Sequence, residues 1–140
     1  MARQSLRGNN AAAKRDIKAF VQRTELTLDQ MLRSIALTLL SAIVKRSPVD
    51  TGRFRGNWMV QVDLAPQTTE TEDKAGSATI AQGQAEIARF KFGETVYLLN
   101  HLVYALELEY GSSKQAPSGM VRITAREFQA YVQRAAKGAR

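Results

Sequence analysis

The triplet Asp50-Thr51-Gly52 contains the residue types that could perform acid–base chemistry. Two such aspartates that face each other and share one proton form the catalytic pair of aspartic proteases. A chain of 140 residues with one triplet can form this pair only as a symmetric dimer. The triplet here follows a long helical pattern and precedes Arg53, whereas the protease triplet follows a strand. A dimeric aspartic protease stays open as an alternative function.

The chain contains few of the residues that other kinds of catalytic site require. His101 is the single histidine, and its neighbours in "LLNHLVY" are apolar, which is typical of a packed ring. The chain has no cysteine, which excludes disulfides, thiolate chemistry and the commoner structural zinc sites. The stretch "AQGQAE" has one glycine and no following lysine, so it does not form a phosphate-binding loop. We therefore expect no enzyme activity, no cofactor and no metal.

The stretch "SPVDTGRFRGNW" is better explained as a corner between a helix and a strand. Pro48 ends the helix, because the residue before a proline is pushed out of helical geometry. Asp50 can accept a hydrogen bond from the backbone two residues on, and Gly52 can adopt the positive φ of a sharp reversal. A strand is predicted next, because large apolar residues alternate with polar ones or methionine at Trp58, Val60, Val62 and Leu64.

The same corner alternates cations with aromatic rings, as single-strand nucleic-acid binders do. The residues are Arg53, Phe54, Arg55 and Trp58. Two arginines are a small footprint, and no other nucleic-acid motif accompanies them. We favour the interpretation that Phe54 and Trp58 are core anchors while the two arginines point outward. Tyr104 and Tyr110 are likewise expected to be mainly buried packing residues. A basic nucleic-acid-binding module remains the runner-up function.

The net charge of +7 is concentrated at the two ends of the chain. Residues 1–50 have nine Lys or Arg against four acids, and residues 111–140 have six against one, whereas the middle is slightly acidic. Basic ends are compatible with contact to nucleic acid or to acidic proteins. We find no apolar run of about 18 residues and no signal-peptide pattern. The expectation is a protein made in a cytoplasm, without a membrane partner.

A long helical stripe fills residues 16–46. Its apolar residues recur at three- and four-residue steps at Ile17, Phe20, Val21, Leu28, Met31, Leu32, Ile35, Leu39 and Ile43. Leu26, Leu37 and Leu40 widen the stripe beyond what one small sheet requires, which indicates a second contact. Thr27 and Gln30 match a capping box, which predicts a short helix, a kink or restart near residues 24–27, and then a longer helix to about Lys45.

The rest of the chain predicts shorter elements. An exposed loop over 66–76 precedes a helix that Ser77 or Thr79 could cap, and "ETVYLLN" is strand-like. "YALELEYG" predicts a short helix closed by Gly111, and "MVRITAREFQAYVQRAAKGAR" a last helix. The predicted fold class is α+β, with a long N-terminal helix and a C-terminal helix packed on a small, mainly antiparallel sheet. The predicted organisation is a basic flexible arm (1–15), a single domain (16–136) and a flexible C-terminus (137–140).

Three segments, in this order, resemble the tail-completion proteins of long-tailed bacteriophages, which are also called head–tail joining or neck proteins. The matching segments are Pro48 to Trp58, Tyr104 to Gly111, and Gln115 to Arg122. The resemblance implies a structural motif made of Pro48, Asp50, Thr51, Gly52, Phe54, Trp58, Tyr104, Glu109, Tyr110 and Gly111.

The resemblance also implies a function without catalysis. The subunits would form a homo-oligomeric ring, expected to be a hexamer, at the head–tail junction of the virion after assembly in the host cytoplasm. Other phage tail and head-connector proteins would be its partners, and genomic DNA would pass through the lumen. Arg53, Arg55, Lys114 and Arg122 are the candidate interface or DNA-facing residues.

Overall fold

The computed structural model describes residues 2–138. Within them, the chain forms six helices and one two-stranded sheet. The elements in chain order are α1 (Ala2–Arg46), α2 (Arg53–Gly56), β1 (Met59–Gln61), α3 (Ser77–Ile87), β2 (Tyr97–Leu99), α4 (Ala105–Glu109), α5 (Val121–Arg126) and α6 (Phe128–Gly138). The predicted α+β class is confirmed, with a long N-terminal helix, a C-terminal helix and a small antiparallel sheet.

Helix α1 is continuous over 45 residues, so the predicted restart near residues 24–27 is wrong. The hydroxyls of Thr24 and Thr27 donate to the carbonyl oxygens of Phe20 and Arg23, four residues earlier in the same helix. Thr27 thus bonds back along α1 instead of capping a new helix. Residues 2–15, expected as a flexible arm, belong to the same helix, and alanines at 11–13 favour it.

The core lies between α1, α3 and the corner after α1. Leu40 and Val44 of α1 are fully buried, and they form one cluster with Phe54, Trp58 and Ile87. Leu37 packs against the same cluster. The widened part of the stripe at Leu37 and Leu40 therefore serves the core of the subunit, which corrects the expectation that it faces a second partner. The side chain of Leu26 lies outside the described residues.

Gly83 allows α3 to approach α1 closely. A Cβ at this position would lie 2.1 Å from Cδ2 of Leu40 and 3.1 Å from Cγ2 of Val60. Glycine lowers the helix propensity of α3, but the close contact between the two helices requires it. The side chain of Arg33 adds a polar tie, because its Nε and Nη2 donate to the carbonyl oxygen of Phe90 beyond α3 at 3.1 and 3.0 Å.

The sheet is shorter than the alternation predicted. Strands β1 and β2 pair antiparallel over three residues each, with Val60 opposite Leu98. The predicted strand extended to Leu64, yet Val62 and Leu64 are exposed. They lie beyond the end of β1, where β2 no longer provides pairing partners. Alternation alone does not show how long the neighbouring strand is.

The loop over 66–76 is exposed along most of its length but has buried polar anchors, which the sequence reading missed. The side-chain amide of Asn57 accepts from the backbone N–H of Thr69 at 2.8 Å and donates to its carbonyl at 3.1 Å. Asp73 is buried and accepts hydrogen bonds from the N–H of Gly76, and from the N–H and hydroxyl of Thr79, at 2.7–2.9 Å. The cap of α3 is therefore Asp73 with Gly76, rather than Ser77 or Thr79.

The predicted last helix is divided into α5 and α6 near Glu127. Arg46, at the end of α1, donates from Nη2 to both carboxylate oxygens of Glu127 at 2.7 Å, and from Nη1 to the hydroxyl of Thr124 at 3.0 Å. Helix α6 then packs back along α1, with Tyr131 and Ala135 buried. Residues 139–140 of the expected flexible C-terminus lie outside the described residues.

By length and composition alone, helix α1 contains a stretch that is long and apolar enough to cross a membrane. The sequence reading expected no such run. Ala36, Leu40, Ile43 and Val44 of this helix are buried in the core of the domain. Only 22% of this apolar stretch is buried, so the core accounts for part of it.

Candidate functional site

The Asp50-Thr51-Gly52 triplet forms a turn at the end of α1. Gly52 has a φ of +92°, and a Cβ there would lie 2.6 Å from the backbone nitrogen of Lys74. The hydroxyl of Thr51 accepts a hydrogen bond from the N–H of Arg53 at 3.1 Å, so Thr51 makes the local turn contact expected of Asp50. Asp50 itself is exposed, whereas Pro48 is buried.

Arg55 is a structural clamp, so the prediction that it points outward is wrong. Its Nε donates to the carbonyl of Ser47 at 3.0 Å, its Nη2 to that of Lys45 at 2.8 Å and its Nη1 to that of Lys74 at 2.7 Å. The carbonyls at the end of a helix lack partners within the helix and attract a positive charge. Arg55 therefore closes α1 and holds the loop before α3.

The other three basic candidates differ in how free their charges are to contact a partner. Arg53 is half-buried, and its Nη2 lies 3.6 Å from the carboxylate of Glu70. Lys114 is exposed in the loop before α5. Arg122 is bound to Glu109, as described below. Of the four residues, Lys114 offers the freest charge to a partner.

Phe54 and Trp58 are core residues, as expected. They are 5% and 8% exposed, and their rings pack edge to face with centroids 5.8 Å apart. The indole N–H of Trp58 donates to the hydroxyl of Ser47 at 2.7 Å, deep in the core. Tyr104 is half-buried against Phe54. A flat platform for nucleobases is not formed at this corner.

Tyr110 was expected to be buried but is 73% exposed. The guanidinium of Arg122 lies over its ring, with Cζ 5.0 Å from the centroid. The residue follows the last turn of α4, and Gly111 with a φ of +91° turns the chain away directly after it. The ring thus stays on the surface.

Glu109 joins α4 to the start of α5. Its carboxylate accepts hydrogen bonds from the backbone N–H groups of Met120, Val121 and Arg122 at 2.8, 2.9 and 3.0 Å. The Nη2 of Arg122 donates to the carbonyl of Glu109 at 2.6 Å. Partial burial alone would raise the pKa of Glu109, but these donors outweigh it and hold the pKa below its usual value of 4.5.

A second latch joins the corner to the loop before α5. The side chain of Gln115 accepts from the N–H of Val49 and donates to its carbonyl, both at 2.9 Å. Nearby, a Cβ at Gly111 would lie 2.5 Å from the carbonyl oxygen of Pro117, so glycine is needed where the two loops meet. The sequence contained these residues within the matched segments, but no local signal showed that they contact each other.

An open groove lies where these segments meet, and we call it the α4 groove. It has a volume of about 560 Å³ and is lined by Phe54, Trp58, residues 98–103, Ala105, Leu106, Glu109, Tyr110, Met120, Val121 and Arg122. The buried rings and Met120 form its floor. Its rim is apolar and exposed, with Val103 at 96% and Leu106 at 71%. A contiguous exposed apolar surface of this kind is typical of a protein contact.

Two further observations concern chemistry in and around the groove. His101 lines it, and its Nε2 is buried without a hydrogen-bond partner among the described residues. Residues 2–138 contain no group of three His, Cys, Asp or Glu side chains that could hold a metal ion. The sequence reading missed Val103, Leu106 and Val121 as a shared surface, although Leu106 lies opposite Leu108 on a short helix and had to face outward.

Comparisons of this chain with family models, with curated proteins and with solved structures find no match.

Proposed function

We propose that this protein is a structural subunit of the bacteriophage neck, which completes the tail and joins it to the head connector. The observation that carries the proposal is the convergence of three distant segments on the α4 groove. Phe54 and Trp58 come from the corner, Leu106 and Tyr110 from the segment around α4, and Met120 and Arg122 from the start of α5. These are the segments in which the chain resembles tail-completion proteins.

The construction of the groove supports a role as a fixed docking surface. Glu109 ties two walls of the groove together, because its carboxylate accepts hydrogen bonds from the N–H groups of Met120 and Val121. Gln115 and Arg55, which lie outside the groove, hold the adjoining loops in place. A surface held in this way loses little conformational freedom when a partner binds. Its exposed apolar rim would be covered by a neighbouring subunit or by another tail or connector protein.

We further propose that the subunits assemble into a ring. A subunit that contacts its neighbour head to tail with a closing rotation generates a ring, and six subunits would match the symmetry of a tail. The lumen would leave a channel for genomic DNA. Exposed Lys114, with the basic residues of α5 and α6, would provide the positive charge near the DNA or near adjacent rings.

Neither alternative function fits the positions of the residues that it requires. A nucleic-acid platform at the corner requires exposed rings and free arginines, but Phe54 and Trp58 are buried and Arg55 is bound to three carbonyls. A dimeric protease requires Asp50 in a shielded pair, whereas Asp50 is exposed on a turn. No observation among the described residues favours either alternative.

The groove can be tested by substitution in a phage that lacks its own copy of the gene. Val103→Glu with Leu106→Glu places charges on the rim, where both side chains are exposed and the fold does not depend on them. Val62→Glu with Leu64→Glu is the matched control, since these side chains are also exposed but lie outside the groove. We expect the groove variant to leave heads and tails unjoined, and the control to restore infectious particles. Equal rescue by both variants would refute the role of the groove.

A further inference from the structure

The part of α1 that precedes the core has an apolar face without a partner among the described residues. Ile17 and Phe20 are 64% and 62% exposed, and Val21 is exposed as well. The core residues Leu40 and Val44 lie on a different face of the same helix, because α1 advances by about 100° per residue. The exposed residues therefore form a second apolar stripe.

This second stripe runs along α1 toward the end of the helix that contacts α6. Steps of four and three residues lead from Ile17 through Val21, Thr24, Leu28 and Met31 to Ile35. Further along α1 the stripe meets Arg46, which binds Glu127 at the start of α6. Helix α6 has 11 residues and so covers only about 16 Å of α1. The stripe extends several turns beyond its end.

The spacing is that of a coiled-coil seam, because alternating steps of four and three residues average 3.5. We infer that residues 14–31 of α1 pair with the same segment of a second copy of this chain in an antiparallel, two-fold symmetric helix contact. In the register that the seam sets, Ile17 lies opposite Leu28 of the second copy, and Val21 lies opposite Thr24 of the second copy.

The charges beside the seam select the antiparallel orientation. In this register Lys18 lies beside Glu25 of the second copy, and the two-fold axis repeats the pair. In a parallel pair, Glu25 would instead lie beside Phe20 of the second copy, and no opposite charges would meet along this stretch. Complementary charges at the flanking positions of a coiled coil determine the choice of partner and orientation.

A depression on α1 fits the same register. It has a volume of about 420 Å³ and is lined by Phe20, Arg23, Thr24, Thr27 and Leu28. In the antiparallel pair, Phe20 of the second copy lies beside Thr27 and its ring enters this depression. The helix is already continuous with the folded domain, so the contact does not have to nucleate it.

This contact is separate from the α4 groove and does not depend on the neck proposal. It gives a closed pair, since a two-fold contact uses the same surface on both subunits. For the proposed ring, it would hold the free protein as a dimer until assembly. The ring contact and the helix contact can therefore be tested independently.

The mass of the purified full chain, measured by sedimentation equilibrium over micromolar to hundred-micromolar concentrations, tests the pairing. We expect a concentration-dependent dimer. Val21→Glu, on the seam, should give a monomer with unchanged helix content, whereas Ala19→Glu, on the outer face of the same turn, should dimerise like the wild type. A wild-type protein that is monomeric at all concentrations, or equal effects of the two variants, would overturn the inference.

The register is tested by exchanging the charges. Lys18→Glu and Glu25→Lys should each raise the dissociation constant about three- to tenfold, because each change turns two attractions into repulsions. The double variant K18E/E25K restores both pairs and should return the constant to near the wild-type value. Additive losses in the double variant would overturn the antiparallel register.

Discussion

At the scale of single residues, a few polar side chains hold the loops of this protein in place. Arg55 closes the end of α1, Asp73 caps α3 and Glu109 caps α5. Each of them bonds to backbone groups on segments that are distant along the chain or separated by a turn. The sequence predicted that the corner is structural, but it did not predict these bonds, because a pattern of neighbours does not show which distant loops will meet.

The corner gives a matched pair of substitutions. Gly52→Val should destabilise the fold by about 2 kcal/mol or more, because a β-branched residue at positive φ is strained and its Cβ would collide with the backbone of Lys74. Asp50→Asn should change the free energy of unfolding by less than about 0.5 kcal/mol, because Asp50 is exposed. Urea unfolding measures both. A large effect of Asp50→Asn on stability would contradict the description of the turn.

Asp73 should make the free energy of unfolding depend on pH. Burial alone would raise its pKa, but hydrogen bonds from Thr79, Gly76 and Ala78 outweigh this and hold the pKa below its usual value of 3.8. A lowered pKa in the folded state means that Asp73 stabilises the fold at higher pH, and that this contribution is lost as the pH falls through the folded pKa. Asp73→Asn should therefore cost about 1.5–3 kcal/mol near neutral pH.

The measurement for Asp73 is urea unfolding of wild type and variant at neutral pH and below the usual pKa of 3.8. The difference between the two proteins should shrink in acid, because the wild-type carboxylate becomes protonated. Glu72→Gln, at an exposed neighbouring position, is the control and should change stability little. A difference for Asp73→Asn that stays constant with pH would show that the charge of Asp73 does not stabilise the cap.

At the scale of elements, the sequence predicted most helices and strands but not their ends. Helical spacing located α1, α3 and α4, alternation located β1, and the strand-like apolar run in "ETVYLLN" located β2. The predicted restart in α1 failed because Thr27 satisfies a carbonyl of its own helix. The division between α5 and α6 was missed because it accompanies a contact between Glu127 and Arg46, which lie 81 residues apart. Local patterns do not contain such contacts.

At the contact between α1 and α3, a substitution that favours the helix should destabilise the protein. Gly83→Ala would stabilise an isolated helix by about 1 kcal/mol, but here the new methyl group would lie 2.1 Å from Cδ2 of Leu40, which is fully buried and cannot move aside. We expect a net loss of about 1–3 kcal/mol, measured by urea unfolding.

Measuring Gly83→Ala in a Leu40→Ala protein tests whether overpacking causes the loss of stability. Leu40→Ala alone should cost about 2–5 kcal/mol. In that background the space beside residue 83 is open, so adding Gly83→Ala should stabilise the protein or leave its stability unchanged. The same loss from Gly83→Ala in both backgrounds would contradict the proposed collision between the two helices.

At the scale of the whole molecule, the subunit presents two separate apolar surfaces. The α4 groove lies on the folded domain, and the exposed stripe lies on the part of α1 that extends away from the core. The sequence predicted excess apolar width on α1 at Leu26, Leu37 and Leu40, but Leu37 and Leu40 serve the core. The groove was not predicted, because it requires three distant segments to fold together.

The most direct test of the neck proposal is to locate this protein in particles and to image particles made without it. Electron microscopy of virions carrying a labelled copy should place the label at the junction of head and tail. Particles assembled without the protein should appear as separate heads and tails. A label elsewhere in the virion, or normal numbers of joined and infectious particles without the protein, would contradict the proposal.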